Sequence, residues 1–470
     1  MATTVQVGHG SGDSSDQSYP LAAQIPLKEF TLPDFPPQAS RLRELTLTAD
    51  IKLDEYQTLL QTQTPLTQPE LLPNVPRSVT HLTLELFGLG FPGNTTPALG
   101  FLGRLAKCLP NLRSLTFFSC LIDGLDDASR RDAEELFESC TQIQEIHVID
   151  SFSRPGFFTR VGSILEKRAA ARNSSSAGGG VDVDVDTKDA SGGDRDGLKV
   201  VNVSYTFRGH EDSDFLARVA GEELASLIVP GLIGVSFDFV PASRRDELDE
   251  PSGQEGENTG DAKKKNDEKM PEGVLPFASD GRAATAIRKR FETASAGGAL
   301  TSIKVLNLGM FSLRPVEVGE IVYACAGGAG ADANGATGTG LVDLTVAVLL
   351  EDGWADDLVA GLGYNGVGRA LEGIEIVGVP GAKAEAGIIV DKTEEVDKEQ
   401  RQSNDNGGRT GIKLIDLADV EKLAKSCPKL GKVGMSILKV KSAPDVVFVK
   451  KEDGGLEFNL RNEVEYNTTQ

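Results

Sequence analysis

Positive charge is scarce in this 470-residue chain: 48 Lys and Arg stand against 70 Asp and Glu, a formal net charge of −22. That balance argues against nucleic acid as a partner, because phosphate recognition needs clustered Lys and Arg. It disfavours an anionic membrane surface for the same reason. A basic protein is what such a field would steer in. No run of roughly 18 or more apolar residues occurs, so no transmembrane helix is expected. The opening MATTVQVGHGSGDSSDQSYP lacks the basic and apolar regions of a secretory signal. Cysteines number five, at 108, 120, 140, 325 and 427, with no C-x-x-C pair. An odd count without a signal points to reduced thiols in the cytoplasm or nucleus.

Histidine is equally sparse, at 9, 81, 147 and 210, with no H-E-x-x-H and no two close in sequence. No Ser-His-Asp arrangement can be argued from spacing. Three polar or glycine-rich stretches invite chemistry and do not meet its requirements. GLGYNGVG at 361–368 contains G-x-G-x-x-G, but helical text (ADDLVA) separates it from the preceding strand, where a dinucleotide site needs the glycines directly after one. CAGGAGADANGATGTG at 325–340 lacks the Lys-Ser or Lys-Thr of a phosphate loop. DVDVDTKDASGG at 182–193 is acidic, yet it places Thr187 and Gly193 where a calcium loop wants Gly and Glu. The run KKK at 263–265 sits inside an acidic linker and reads as charge balance. The expectation is a chain with no enzymatic activity, no cofactor and no metal.

What is abundant is a repeated phrase, L-x-x-L-x-L with conservative swaps. It reads LRELTL from Leu42, VTHLTL from Val79, LRSLTF from Leu112, IQEIHV from Ile143 and LKVVNV from Leu198. It continues as LIGVSF from Leu232, IKVLNL from Ile303, LVDLTV from Leu341, LEGIEI from Leu371 and LGKVGM from Leu430. Six of the nine spacings between starts lie between 30 and 38 residues, and the three longer ones each contain a polar insert. The last apolar positions alternate with polar ones, as a half-buried strand requires. One such unit cannot shield its own apolar side, so copies must stack. Between the phrases the text is helical. ASRRDAEELFESC at 128–140 puts Ala133, Leu136, Phe137 and Cys140 on one face, with Asp126 or Asp127 as cap. LGFLGRLAKCLP, DSDFLARVAGEELASLIVPG, ATAIRKRFETASAGG and LADVEKLAKSCPKL read likewise. Strand, loop, helix, strand implies parallel strands with crossover helices.

The phrases KCLPNLRSL, SCTQIQEI and SCPKLGKV resemble the Cys-Pro-x-Leu lead into each strand of leucine-rich-repeat proteins, in particular the ribonuclease-inhibitor-like and F-box-associated branch. The resemblance covers about residues 40 to 460, inserts excluded. The family's Asn after the strand is mostly missing, and LTFFSC carries a Cys there. The resemblance implies an α/β horseshoe solenoid, with a parallel sheet on the concave side and helices on the convex side. It implies a protein-interaction scaffold, or else a substrate receptor of a cullin-type ubiquitin ligase. The receptor role requires an N-terminal F-box, and the proline-containing first forty residues show no such helical pattern.

The expected organisation is a disordered segment over 1–25 and one solenoid over 26–470. Disordered inserts are expected at 173–197, 241–280 and 391–410, since such Gly, Ser and acid-rich text cannot build a core. A closing hairpin is expected after Leu438, with Asp453-Gly454-Gly455 in its turn. Alternation also marks the outward column of the sheet: Thr46, Thr83, Thr116, His147, Asn202, Ser236, Asn307, Thr345, Glu375 and Gly434. Phe118, Ile149, Tyr205 and Phe239 are the bulkier candidates beside it. The candidate partner-binding residues are Thr83, Thr116, Phe118, His147, Asn202, Ser236, Asn307 and Thr345, on a chain expected to be a monomer.

Overall fold

A computed structural model describes residues 20–27, 35–49, 75–91, 100–177, 197–207, 221–241, 281–296, 303–326, 340–380, 414–437, 445–450 and 456–461. The strands are β1 (Ala22–Pro26), β2 (Glu44–Thr48), β3 (His81–Glu85), β4 (Ser114–Phe118), β5 (Glu145–Ile149), β6 (Val200–Phe207) and β7 (Gly234–Pro241). They continue as β8 (Val305–Leu313), β9 (Asp343–Leu350), β10 (Gly373–Pro380), β11 (Lys432–Ile437), β12 (Asp445–Lys450) and β13 (Leu456–Arg461). All thirteen lie in one sheet in chain order. Pairing is parallel from β1 to β11 and antiparallel from β11 to β13. Because each strand adds beside its predecessor, the chain advances as a solenoid.

Each of the ten phrases forms its strand two residues after its first apolar position. That first residue, from Leu42 and Val79 to Leu371 and Leu430, is buried in every copy. So are the two strand positions that follow it, such as Leu45 and Leu47 or Leu115 and Phe117. The queue is in register: Leu45 faces Leu82, Leu82 faces Leu115 and Leu115 faces Ile146. Burying a full side chain of this kind contributes about 1.5–3 kcal/mol. Single repeats forgo that gain and stacked ones obtain it.

The helices are α1 (Phe101–Cys108), α2 (Asp127–Ser139), α3 (Phe157–Ala177), α4 (Arg282–Ala296), α5 (Pro315–Cys325), α6 (Trp354–Gly363) and α7 (Leu417–Ser426). They pack in sequence, α1 on α2 and α2 on α3, then α4 on α5, α5 on α6 and α6 on α7. A 3-10 turn at Gly221–Leu227 bridges α3 and α4. Between sheet and helices runs a chain of rings. Phe87 and Phe91 stack at 4.2 Å, and Phe117, Phe137 and Phe157 follow at 6.2 Å steps.

Helix ends are closed by carboxylates. Asp126 accepts from the Ser129 amide at 2.7 Å to start α2. Helix α1 is preceded by Gly100, which has no side chain to cap with. Asp132 of α2 supplies the cap from the next repeat, accepting from Leu102 and Gly103 amides at 2.8 Å each. A Cβ on Gly100 would meet Asp132 Cγ at 2.4 Å, so the glycine makes room for that carboxylate. The position after the strand where the family places Asn is held by Cys120 in one repeat and Ser151 in the next. Cys120 Sγ donates to Leu84 O at 3.1 Å, and Ser151 Oγ accepts from the Cys120 amide at 2.9 Å. These short side chains satisfy backbone groups that the turn leaves unpaired.

Four readings of the sequence need correction. The solenoid begins at Ala22, inside the stretch 1–25 expected to be disordered: Ala23 and Ile25 occupy the register of Leu45 and Leu47. Helix α3 runs to Ala177, into the insert expected from 173. Strand β7 runs through Pro241, where the second insert was to begin. Of DSDFLARVAGEELASLIVPG, the described part holds the 3-10 turn Gly221–Leu227 rather than an α-helix. The segments 182–193, 263–265, 391–410 and the turn 453–455 lie outside the described residues, as do His9 and His210. The hairpin itself is present, β12 pairing antiparallel with β13.

The sheet has one thin junction. The register of β7 with β8 spans Gly234–Ser236 against Val305–Asn307, whereas β6 and β7 pair from Val200 to Phe207. Beyond Leu308 strand β8 bulges, and pairing with β9 resumes at Ser312.

Candidate partner-binding face

With apolar positions turned to the helices, alternation turns the others to the opposite, open face. The register aligns them into columns. Gln24, Thr46, Thr83, Thr116, His147, Asn202, Ser236, Asn307, Thr345, Glu375 and Gly434 are successive partners. Seven of the eight candidate residues therefore form a single unbroken row. Phe118 stands one position along, in the row Thr48, Glu85, Phe118, Ile149, Ser204 and Asp238. All eight are half-buried, a consequence of neighbours about 4.8 Å away on either side.

Tyr205 and Phe239 do not belong to this face. Strands β6 and β7 continue past the repeated phrase, and an even count from Val201 or Val235 returns to the core side. Tyr205 is buried, donates its hydroxyl to Ser151 O at 3.0 Å, and has its ring 6.2 Å from Phe239. Burial raises the Tyr205 phenol well above its ordinary range.

The open face is acidic. Its three columns from β1 to β11 hold six carboxylates, Glu44, Glu85, Glu145, Asp238, Asp343 and Glu375, against one ammonium, Lys432. That ratio exceeds the chain's own 70 to 48. Cations gather instead in the row just before the strands, at Arg43, Arg113, Lys199 and Lys304. Several acids are braced. Glu85 accepts from Thr48 Oγ1 at 2.8 Å and Gln24 Nε2 at 3.2 Å. Glu145 lies 3.5 Å from His147 Nε2. Asp238 accepts from Asn307 Nδ2 at 3.1 Å; burial pushes its carboxyl up, and that bond opposes the shift. Glu375 lies over β11, where a Cβ on Gly434 would come within 2.1 Å of it.

The glycine motif at 361–368 and the cysteines resolve as packing. Gly361 of GLGYNGVG packs in the last turn of α6 against Gly319 of α5, and Gly363 abuts Ser426. A Cβ on Gly368 would strike Cys427 Sγ at 2.5 Å. All five cysteines are free thiols and buried. Burial pushes Cys120, Cys140 and Cys325 up to about 12 and Cys427 to about 11. Among the described residues no group of His, Cys, Asp and Glu is arranged to hold a metal ion, and no helix is long and apolar enough to cross a membrane.

Eleven parallel strands added in chain order, ten of them led by a buried leucine-type residue, with a layer of helices on one side, define an α/β solenoid of the leucine-rich-repeat type. No family model and no curated protein matches the chain. Among solved structures it is similar to an internalin of Listeria monocytogenes, at 11% identity and a TM-score of 0.27, over 72% of this chain. The chain spans 62% of that internalin's length. At that level of likeness the fold assignment rests on the chain's own sheet and repeat.

Proposed function

We propose that this chain is a non-catalytic scaffold that holds a protein partner on the open face of its sheet. The observation that carries the reading is the unbroken polar row from Thr46 to Glu375, half-buried and held in register by nine strands. Such a row is preorganised, so binding there costs little side-chain ordering. Five free, buried thiols suit a reducing compartment, cytoplasm or nucleus. Affinity purification with mass spectrometry tests the reading when repeated on Thr116→Arg and His147→Arg. Loss of the same partner from both variants is the expected result. An unchanged partner set in both would move binding to the helical side and overturn it.

A role as substrate receptor of a cullin-type ligase draws on one feature, the lead phrases in which Cys108 ends α1 and Cys140 and Cys427 directly follow α2 and α7. Co-purification of a cullin adaptor is its test, and absence of that adaptor from the same purification removes it.

A further inference from the structure

We infer that the open face takes an extended, basic polypeptide segment that carries two cationic side chains about six residues apart with an apolar residue midway. This rests on the scaffold reading above and names the partner's chemistry. Five neighbouring strands, β5 to β9, place Glu145, Val200, Gly234, Val305 and Asp343 in one row of direct register partners. The row reads acid, valine, glycine, valine, acid. It is symmetric about Gly234, which bears no side chain. A Cβ there would sit 3.9 Å from both γ-carbons of Val200, so the glycine leaves a dip between two valines. Val305 is 44% exposed, high for a valine in the middle of a sheet. An apolar side chain entering that dip covers both valines and is drawn there by the removal of apolar surface from water.

The carboxylates fix the length. Four strand steps of about 4.8 Å separate the backbones of Glu145 and Asp343, roughly 19 Å in all, and the Asp343 carboxylate leans outward over Gly373 of β10. An extended chain covers that in about six residues at ~3.3 Å each. Charge selects the sign, because the face carries six carboxylates to one ammonium. It also sets the position. The cations of the preceding row, Lys199 and Lys304, stand before the valines, whereas Gln144 and Val342 stand before Glu145 and Asp343. A cationic side chain can therefore approach either acid without meeting a neighbouring cation along its strand. Glu145 already shares His147, which lies on the side of the row away from those cations.

The probe is a fluorescein-labelled peptide, Lys-Gly-Ser-Leu-Ser-Gly-Lys, titrated with the full chain by fluorescence anisotropy. Saturable binding that weakens with added salt is expected. Glu145→Gln combined with Asp343→Asn should weaken it by about fivefold or more, while Glu138→Gln with Glu421→Gln, the same charge change on exposed helix positions, should leave it within about twofold. A peptide with Glu at both ends should not bind. Equal losses in the two double variants would show a response to net charge alone and overturn the inference. So would an absence of saturable binding. If the probe fails while Thr116→Arg and His147→Arg still release a cellular partner, the face remains an interface and only the basic, spaced segment is refuted.

Discussion

Gly319 of α5 and Gly361 of α6 meet backbone to backbone: a Cβ on Gly319 would lie 2.7 Å from the Gly361 Cα, and a Cβ on Gly361 would lie 3.0 Å from the Gly319 Cα. Neither helix can yield without pulling away from the sheet, since Val318, Ile321 and Leu358 anchor them in the core. Gly319→Leu should therefore cost about 1–3 kcal/mol through overpacking, seen as a lower thermal midpoint by circular dichroism. Gly353→Leu is the less decisive comparison, because that glycine has open space but a positive φ. A Gly319→Leu protein as stable as the parent would refute the close approach.

The clip between α1 and α2 predicts a pH effect. Burial pushes the Asp132 carboxyl from 3.8 up to about 7, opposed by the Gly103 and Leu102 amides and by Arg104 of α1, with Glu135 of its own helix adding to the rise. The folded chain thus keeps a proton that the unfolded chain releases. The linked stabilisation is fully present below about pH 4 and is lost as pH rises through about 7. The thermal midpoint of the parent should fall between those values more steeply than that of Asp132→Asn. Parallel slopes in the two proteins would contradict the assignment. Asp132→Ala should also destabilise by about 1–2 kcal/mol at constant pH, as loss of a cap does.

A buried carboxylate and an exposed one on neighbouring turns should behave oppositely. Asp123 has no side-chain exposure and holds Arg130 Nη2 at 2.9 Å and Arg154 Nε at 3.2 Å, while Asp127, 85% exposed, meets Arg154 at 3.4 Å. Asp123→Ala should cost about 2–3 kcal/mol by removing the buried carboxylate that Arg130 and Arg154 share, although each keeps a carbonyl partner at Pro155 or Asp126. Asp127→Ala should cost less than about 1 kcal/mol. Urea unfolding midpoints of the two variants check the contrast, and similar losses would deny it.

Thiol chemistry supplies a third contrast. Every cysteine is buried, and burial raises all five thiols. A chromogenic thiol reagent at neutral pH should label almost nothing in the native chain and five groups after denaturation. Rapid labelling of one native cysteine would locate an opening that the core does not allow.

The row of face residues was readable from the sequence because period-two alternation needs only the residues themselves. Thr116 and His147 fall opposite one another since both follow a buried residue in phrases of identical length. Strand β1 was not readable. It presents Ala23 where the other copies have Leu, Ile or Val, and Pro20 where they have the leading apolar residue. Its place is set by pairing with β2. Tyr205 and Phe239 were misplaced because strands β6 and β7 outrun the phrase that identified them. The Asp132 clip joins residues some thirty positions apart, and no local pattern announces it. The glycines of GLGYNGVG look like a ligand loop in one dimension and prove to be spacers between helices.

The shortened ladder between β7 and β8 has a mechanical consequence. Tension along the stack is borne there by few backbone bonds, with Arg290 of α4 adding a staple to Ile228 O at 2.8 Å and to Glu166 of α3. Pulled from its ends, the molecule would tear first at that seam and release two blocks, each still zipped, rather than unravel repeat by repeat.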